Sequence, residues 1–174
     1  MSRLMPPLGS RNHTVGPDEA PVTLVEYGDF ECPHCGRAYP IVKSVQRSLG
    51  DELRFAYRHF PLVKVHPHAE HAAEIAEAAG QHSKFWPMHD LLFQNQTALE
   101  DEALIAYAET LDIDPVWAAR ALAQGLFGDK VREDFASGVR SGVNGTPTFF
   151  INGVRYDGSW DAASLLEALV VAAQ

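Results

Sequence analysis

Cys32-Pro33-His34-Cys35 is where this sequence can do chemistry, because its two cysteines are the only ones in 174 residues and stand three positions apart. Their neighbours say how they are held. The β-branched and aromatic run 22–27 reads as a strand, Gly28-Asp29 as a turn, and 37–49 as an amphipathic helix ending at Gly50. Pro33 suits a first helical position, where its missing N–H has no intrahelical partner to lose. Cys32 is then the N-cap, with its sulfur facing unpaired backbone N–H groups and the positive end of the helix dipole, which favour a thiolate and lower its pKa. On this reading Cys32 is the exposed attacking thiol. Cys35, one turn on and facing the packed side of the helix, is buried and placed to resolve a mixed disulfide. His34 favours the thiolate further whenever it is protonated or donates a hydrogen bond.

Other uses of such a pair fit less well. Zinc asks for four ligands and there is no second cysteine pair. A structural disulfide here closes a loop too short to restrict the unfolded chain much. His66, His68 and His71, with Glu70 and Glu74, share a loop-to-helix junction where i and i+3 positions fall on one face. A solvated polar face explains them without an ion, so no metal and no cofactor are expected.

A net charge of −9, with no basic run interleaved with aromatics, counts against a nucleic-acid partner. No stretch of about 18 apolar residues is present to span a bilayer. Residues 1–10 lack the apolar core of a secretory signal and contain a proline pair. As the sequence stands, this places the protein in the cytoplasm, or in the periplasm or outside the cell if a signal sequence has been removed.

The 46% hydrophobic content suits a packed globular enzyme. Residues 1–13 read as a flexible tail and 15–21 as a turn-rich lead into the first strand. A second strand, 53–60, puts Leu53, Phe55 and Tyr57 on one face and stops at Pro61. Helical patterns follow at 68–79, 83–94, 101–111, 115–124 and 129–139, with Phe85, Trp86, Phe93, Tyr107 and Trp117 as their core. Sheet character returns at 147–151, Asn152-Gly153 signals a two-residue hairpin into 154–156, and 162–171 is a closing apolar helix. The expected organisation is an α/β domain from 14–65 and 140–174, with a helical domain, 66–139, inserted.

A strand, a C-x-x-C helix, a second strand, a helical insertion, then a hairpin opened by Thr146-Pro147 and a last helix resembles the thioredoxin fold of the DsbA-like family. The Cys-Pro-His-Cys tetrad and the segment from Gly145 to Gly153 carry the resemblance, which covers about residues 15 to 172. It implies a thiol:disulfide oxidoreductase in which Cys32 attacks, Cys35 resolves, Pro33 and His34 tune the pair, and Thr146 and a cis Pro147 lie against the Cys32 sulfur to receive an extended substrate. It also implies a buried acid near the resolving cysteine. Glu26 stands where that acid is expected and would act as a proton relay; a strand-edge Glu facing solvent is the other reading. The family's partner lysine has no match, Tyr57 or Arg58 occupying the place. Phe30, Tyr39 and the Phe149 region suggest an apolar substrate groove. Expected partners are protein thiols and disulfides or small thiols such as glutathione, together with a recycling partner, acting on a monomer. Glutathione-linked reductase or transferase chemistry and, from a different class, a peptide-binding chaperone are the alternatives.

Overall fold

The computed structural model describes residues 1–174. The strands are β1 (His13–Val15), β2 (Val22–Gly28), β3 (Leu53–His59), β4 (Thr148–Ile151) and β5 (Val154–Tyr156). The helices are α1 (Pro33–Leu49), α2 (Ala69–Gly80), α3 (Phe85–Gln94), α4 (Asp101–Thr110), α5 (Pro115–Ala123), α6 (Gly128–Arg140) and α7 (Ala162–Ala172). The sheet runs β1-β3-β2-β4-β5, with β2 and β3 parallel and every other pair antiparallel. This is the thioredoxin-like α/β arrangement expected from the sequence. A parallel pair needs a crossover, and α1 supplies it.

Both faces of the sheet are covered, so its central strands are buried on each side. Val22, Leu24, Phe55, Tyr57 and Phe149 join α1 and residues of α2 to α5 and α7 in one core of 31 buried residues. Val25, Tyr27, Ala56, Phe60 and Phe150 form a smaller core on the other face. The helices between β3 and β4 therefore share the main core with the sheet. Phe85 and Phe93 are buried in it, while Trp86, Tyr107 and Trp117 pack against it partly exposed.

Pro40 sits inside α1, within the helix expected over 37–49, because Ala38, Val42 and Val45 hold that helix against the core. Two features depart from the sequence reading. A short edge strand, β1, pairs with β3. The first 13 residues are also not a loose tail here: Leu4 is buried, its N–H donates to Gly153 O at 2.9 Å, and Arg3 bridges to Val154. Arg58 explains much of that. Its guanidinium is buried under the sheet and needs acceptors, which it finds in Tyr27 Oη at 2.9 Å, Pro6 O at 2.9 Å and Pro7 O at 3.2 Å. No helix is long and apolar enough to cross a membrane.

Candidate active site

The parallel pairing of β2 and β3 brings the carboxyl ends of both strands to one edge, and the cysteine pair lies just beyond it. Cys32 has extended backbone angles, φ −70° and ψ 123°, and Pro33 opens α1. The Cys32 carbonyl accepts the first helical bond, from Gly36 N at 3.0 Å. Asp29 fixes the approach: its side chain accepts from Glu31 N at 2.8 Å and Leu62 N at 2.9 Å, and its carbonyl from Cys32 N at 3.1 Å. Gln96 holds the loop from the other side. Its Nε2 donates to Phe30 O and to Cys32 O, each at 2.9 Å. Gly36 leaves room for it, since a Cβ there would stand 2.0 Å from Gln96 Oε1.

Both cysteines are free thiols. The expected contrast between an exposed Cys32 and a buried Cys35 is not found, since they are 3% and 0% exposed. They differ in their electrostatics. The Cys35 thiol hydrogen-bonds the Cys32 sulfur and lowers its pKa to about 5; burial opposes this, and Thr146 and the backbone N–H groups of Cys35 and His34 assist. Cys35 moves the other way. Burial pushes its thiol well up, and the hydrogen bond it gives to Cys32 and the charges of Glu26 and Cys32 push it further.

The Thr146-Pro147 bond is cis, and Cys32 Sγ lies 3.6 Å from Thr146 O. Glu26 is buried at 2% exposure on the face of β2 that carries Val22 and Leu24, opposite Tyr57 of β3. Burial, with the nearby Cys32 charge, raises its carboxyl to about 8. Glu26 Oε1 and Tyr57 Oη both lack partners. Arg58 belongs to the opposite face and is no partner for Glu26.

The structure does not bring every singled-out residue together. The His34 ring is exposed, and Arg37 donates to its Nδ1. Phe30 and Phe149 are core residues, so the groove drawn from them with Tyr39 does not form; only Tyr39 stays partly exposed, stacked on Phe93. His66, His68 and His71 do not converge. They pair separately with Asp29 at 2.8 Å, Glu31 at 2.9 Å and Asp101 at 2.6 Å. Asp29 was within reach of sequence reasoning, since an Asp after a turn Gly commonly accepts the N–H two residues on. Gln96 carries no such signal.

Fold and site together define a thioredoxin-fold protein with a two-cysteine centre and a cis-proline loop. Residues 10–170 match the family model described as Thioredoxin, and the chain belongs to that family. It is similar to solved structures with DsbA-like thioredoxin folds. BdbD from Bacillus subtilis superposes with a TM-score of 0.84 at 24% identity, covering 93% of this chain and 92% of that one. A thioredoxin-like oxidoreductase from Silicibacter pomeroyi gives 0.82 at 24% identity, covering 94% and 93%. Alpha-DsbA1 of Wolbachia pipientis gives 0.80 at 19% identity, covering 98% and 96%. Among curated proteins, Na(+)/H(+) antiporter NhaA 1 of Salinispora arenicola is 47% identical over 162 residues, 93% of this chain and 25% of that protein. Its namesake in Mycolicibacterium vanbaalenii is 41% identical over 174 residues, 95% of this chain and 27% of that protein. The chain thus spans about a quarter of the length of the curated relatives it matches.

Proposed function

We propose that this chain is a DsbA-like thiol:disulfide oxidoreductase that works through the Cys32/Cys35 couple. The observation that carries this reading is the placement of Cys32 at the N-terminus of α1, with the Cys35 thiol one turn on and the cis Thr146-Pro147 bond beside the Cys32 sulfur; hydrogen bonding there lowers Cys32 to about 5 while burial pushes Cys35 well up. At pH 7 Cys32 attacks as a thiolate and Cys35 waits as a thiol.

In the reducing direction, Cys32 Sγ attacks one sulfur of a substrate disulfide and the other leaves as a thiolate that takes up a proton. Cys35 then loses its proton and attacks Cys32 Sγ, closing the protein disulfide and expelling the second substrate thiolate. Glu26, whose carboxyl burial raises to about 8, takes the Cys35 proton in its ionised form, becoming the neutral acid as Cys35 becomes the attacking thiolate, and returns that proton to solvent afterwards. Thr146 and Pro147 seat the substrate: its chain pairs with the Thr146 backbone beside the Cys32 sulfur. His34 favours the thiolate through its backbone N–H. Substrates are protein or small-molecule thiols and disulfides, and a second redox protein resets the couple.

The direction follows from the potential and the compartment. A thiol ionising near 5 is stabilised at pH 7 by up to about 2.7 kcal/mol over an ordinary thiol, less whatever solvent screening removes. At about 30 mV per 1.4 kcal/mol, that makes the couple up to about 60 mV more oxidising. In a glutathione-reduced cytosol such a couple is held as the dithiol and acts as a reductant or isomerase; in an oxidising compartment it acts as an oxidase.

Equilibration against a glutathione series, with insulin reduction and refolding of a reduced disulfide protein run beside it, tests the proposal. Both activities should vanish in Cys32→Ser. Retained exchange in that variant would overturn the assignment, and holdase activity without exchange would establish the chaperone alternative.

A further inference from the structure

Gln96 stands in the turn between α3 and α4, far along the chain from the cysteines, yet its side chain ends at the reactive one. Its Nε2 donates to Phe30 O and to Cys32 O, each at 2.9 Å, so both amide hydrogens go to the segment that leads into α1. With two carbonyl oxygens facing it, the amide atom there has to be the nitrogen. The turn that carries Gln96 is itself fixed. Asn95 Nδ2 donates to Leu91 O at 2.8 Å, Ala98 N to Asn95 O at 3.0 Å, and Tyr107 Oη of α4 to Ala98 O at 2.7 Å, while Leu99 is buried. On its other side the amide lies against Gly36, where a Cβ would displace it.

We propose that Gln96 is a positioning residue for thiol exchange: by holding the Cys32 carbonyl it keeps the Cys32 sulfur aimed at the N-terminus of α1, and so ties the reactivity of that thiol to the packing of the helices between β3 and β4. This deepens the reading of Cys32 as the attacking thiol and rests on it.

Cys32 has ψ 123°, and ψ sets where the carbonyl of a residue points relative to its side chain. Two donors hold that carbonyl, Gly36 N from within α1 at 3.0 Å and Gln96 Nε2 from outside it at 2.9 Å. With the oxygen held, Sγ stays where the Cys35 thiol and the backbone N–H groups of Cys35 and His34 favour its thiolate. Release of one donor lets the Cys32-Pro33 peptide swing and loosens these contacts together. A second effect has the same sign. The carbonyl oxygen is the negative end of its dipole, and an N–H donor upon it offsets that charge beside the thiolate. No hydrogen bond joins Gln96 to the sulfur, so it acts through the backbone.

Two substitutions break the same contact by different means. Gln96→Ala removes the donor. Gly36→Ala keeps it but places a Cβ 2.0 Å from Gln96 Oε1 and 2.7 Å from its Cδ, which drives the amide off the Cys32 carbonyl. Inside a helix the exchange of Gly for Ala by itself favours folding, so the two variants differ in their effect on stability and share only the lost hydrogen bond. The full chain is titrated as the dithiol by thiolate absorbance and by iodoacetamide alkylation, with near-ultraviolet circular dichroism to confirm the fold, and is equilibrated against a glutathione series. Each variant should titrate at least about half a pKa unit above wild type, which makes Cys32 about a threefold weaker acid. The glutathione equilibrium should move about threefold toward the disulfide, about 15 mV more negative at about 30 mV per tenfold. The double variant should match Gln96→Ala, because the three atoms nearest the new Cβ all belong to the Gln96 side chain. Thr97→Ala, exposed in the same turn, should titrate with wild type. The proposal is overturned if either folded single variant titrates with wild type, or if the shift of the double variant is the sum of the two. A wild-type Cys32 titrating at about 8.5 would remove the exchange reading as well, whereas an acidic wild type with unmoved variants removes only the role given to Gln96. If Gln96→Ala does not fold, Gly36→Ala decides the matter alone.

Discussion

Removing the Cys35 thiol should cost Cys32 much of its acidity. The hydrogen bond from Cys35 is the largest influence that lowers Cys32 to about 5, and Cys35→Ala deletes it while leaving Cys32 the single thiol. A hydrogen bond to a charged group contributes about 1.5–3 kcal/mol, and one pKa unit corresponds to about 1.36 kcal/mol, so the pKa should rise by about 1–2 units. Cys35→Ser keeps a hydroxyl donor in the same place and should rise less. Thiolate absorbance at 240 nm against pH, with iodoacetamide alkylation rates as a second measure, follows one group in each variant. If Cys35→Ala still titrates near 5, or the two variants titrate together, the neighbouring thiol is not what holds the charge and the helix terminus must do so alone.

Three further outcomes follow from the same geometry. Replacing His34 by Ala should move the Cys32 pKa less than Cys35→Ala does, because the ring is engaged by Arg37 and the backbone N–H that favours the thiolate survives the substitution; a larger shift would refute this. Glu26, raised to about 8, adds stability below its unfolded pKa of about 4.3 and loses it as pH rises through 8. Glu26→Gln should therefore raise the melting temperature of the dithiol form at pH 9 relative to wild type, by an amount that grows steadily from pH 4; a gain independent of pH would sink the burial argument. Gln96→Ala leaves Phe30 O without its donor and should cost about 1–3 kcal/mol in urea unfolding, with Gln96→Glu failing to rescue it because a carboxylate does not donate.

Much of the architecture was legible because local signals agreed with one another. Period-two patterning, Pro33 at a helix start, Gly50 past its end and Asn152-Gly153 between two short strands each place an element within a residue or two of where it lies. β1 escaped notice because three residues of an edge strand are defined by the partner they pair with and not by their own pattern.

By itself the sequence determined the reactive pair, its place at a helix terminus, the order of the elements and the proline that follows Thr146, because each depends on residues close in the chain. Only the tertiary structure decided the fate of groups whose chemistry is set by neighbours far along it. Alternation could not say whether Glu26 faces water or core, and the covering helices bury it and raise its pKa. Spacing suggested that His66, His68 and His71 act together, yet separate carboxylates claim them. Gln96 reaches the Cys32 carbonyl from 64 positions away. A contact of that range leaves no local trace, because burial and hydrogen-bond partners belong to the packed chain and not to any short segment of it.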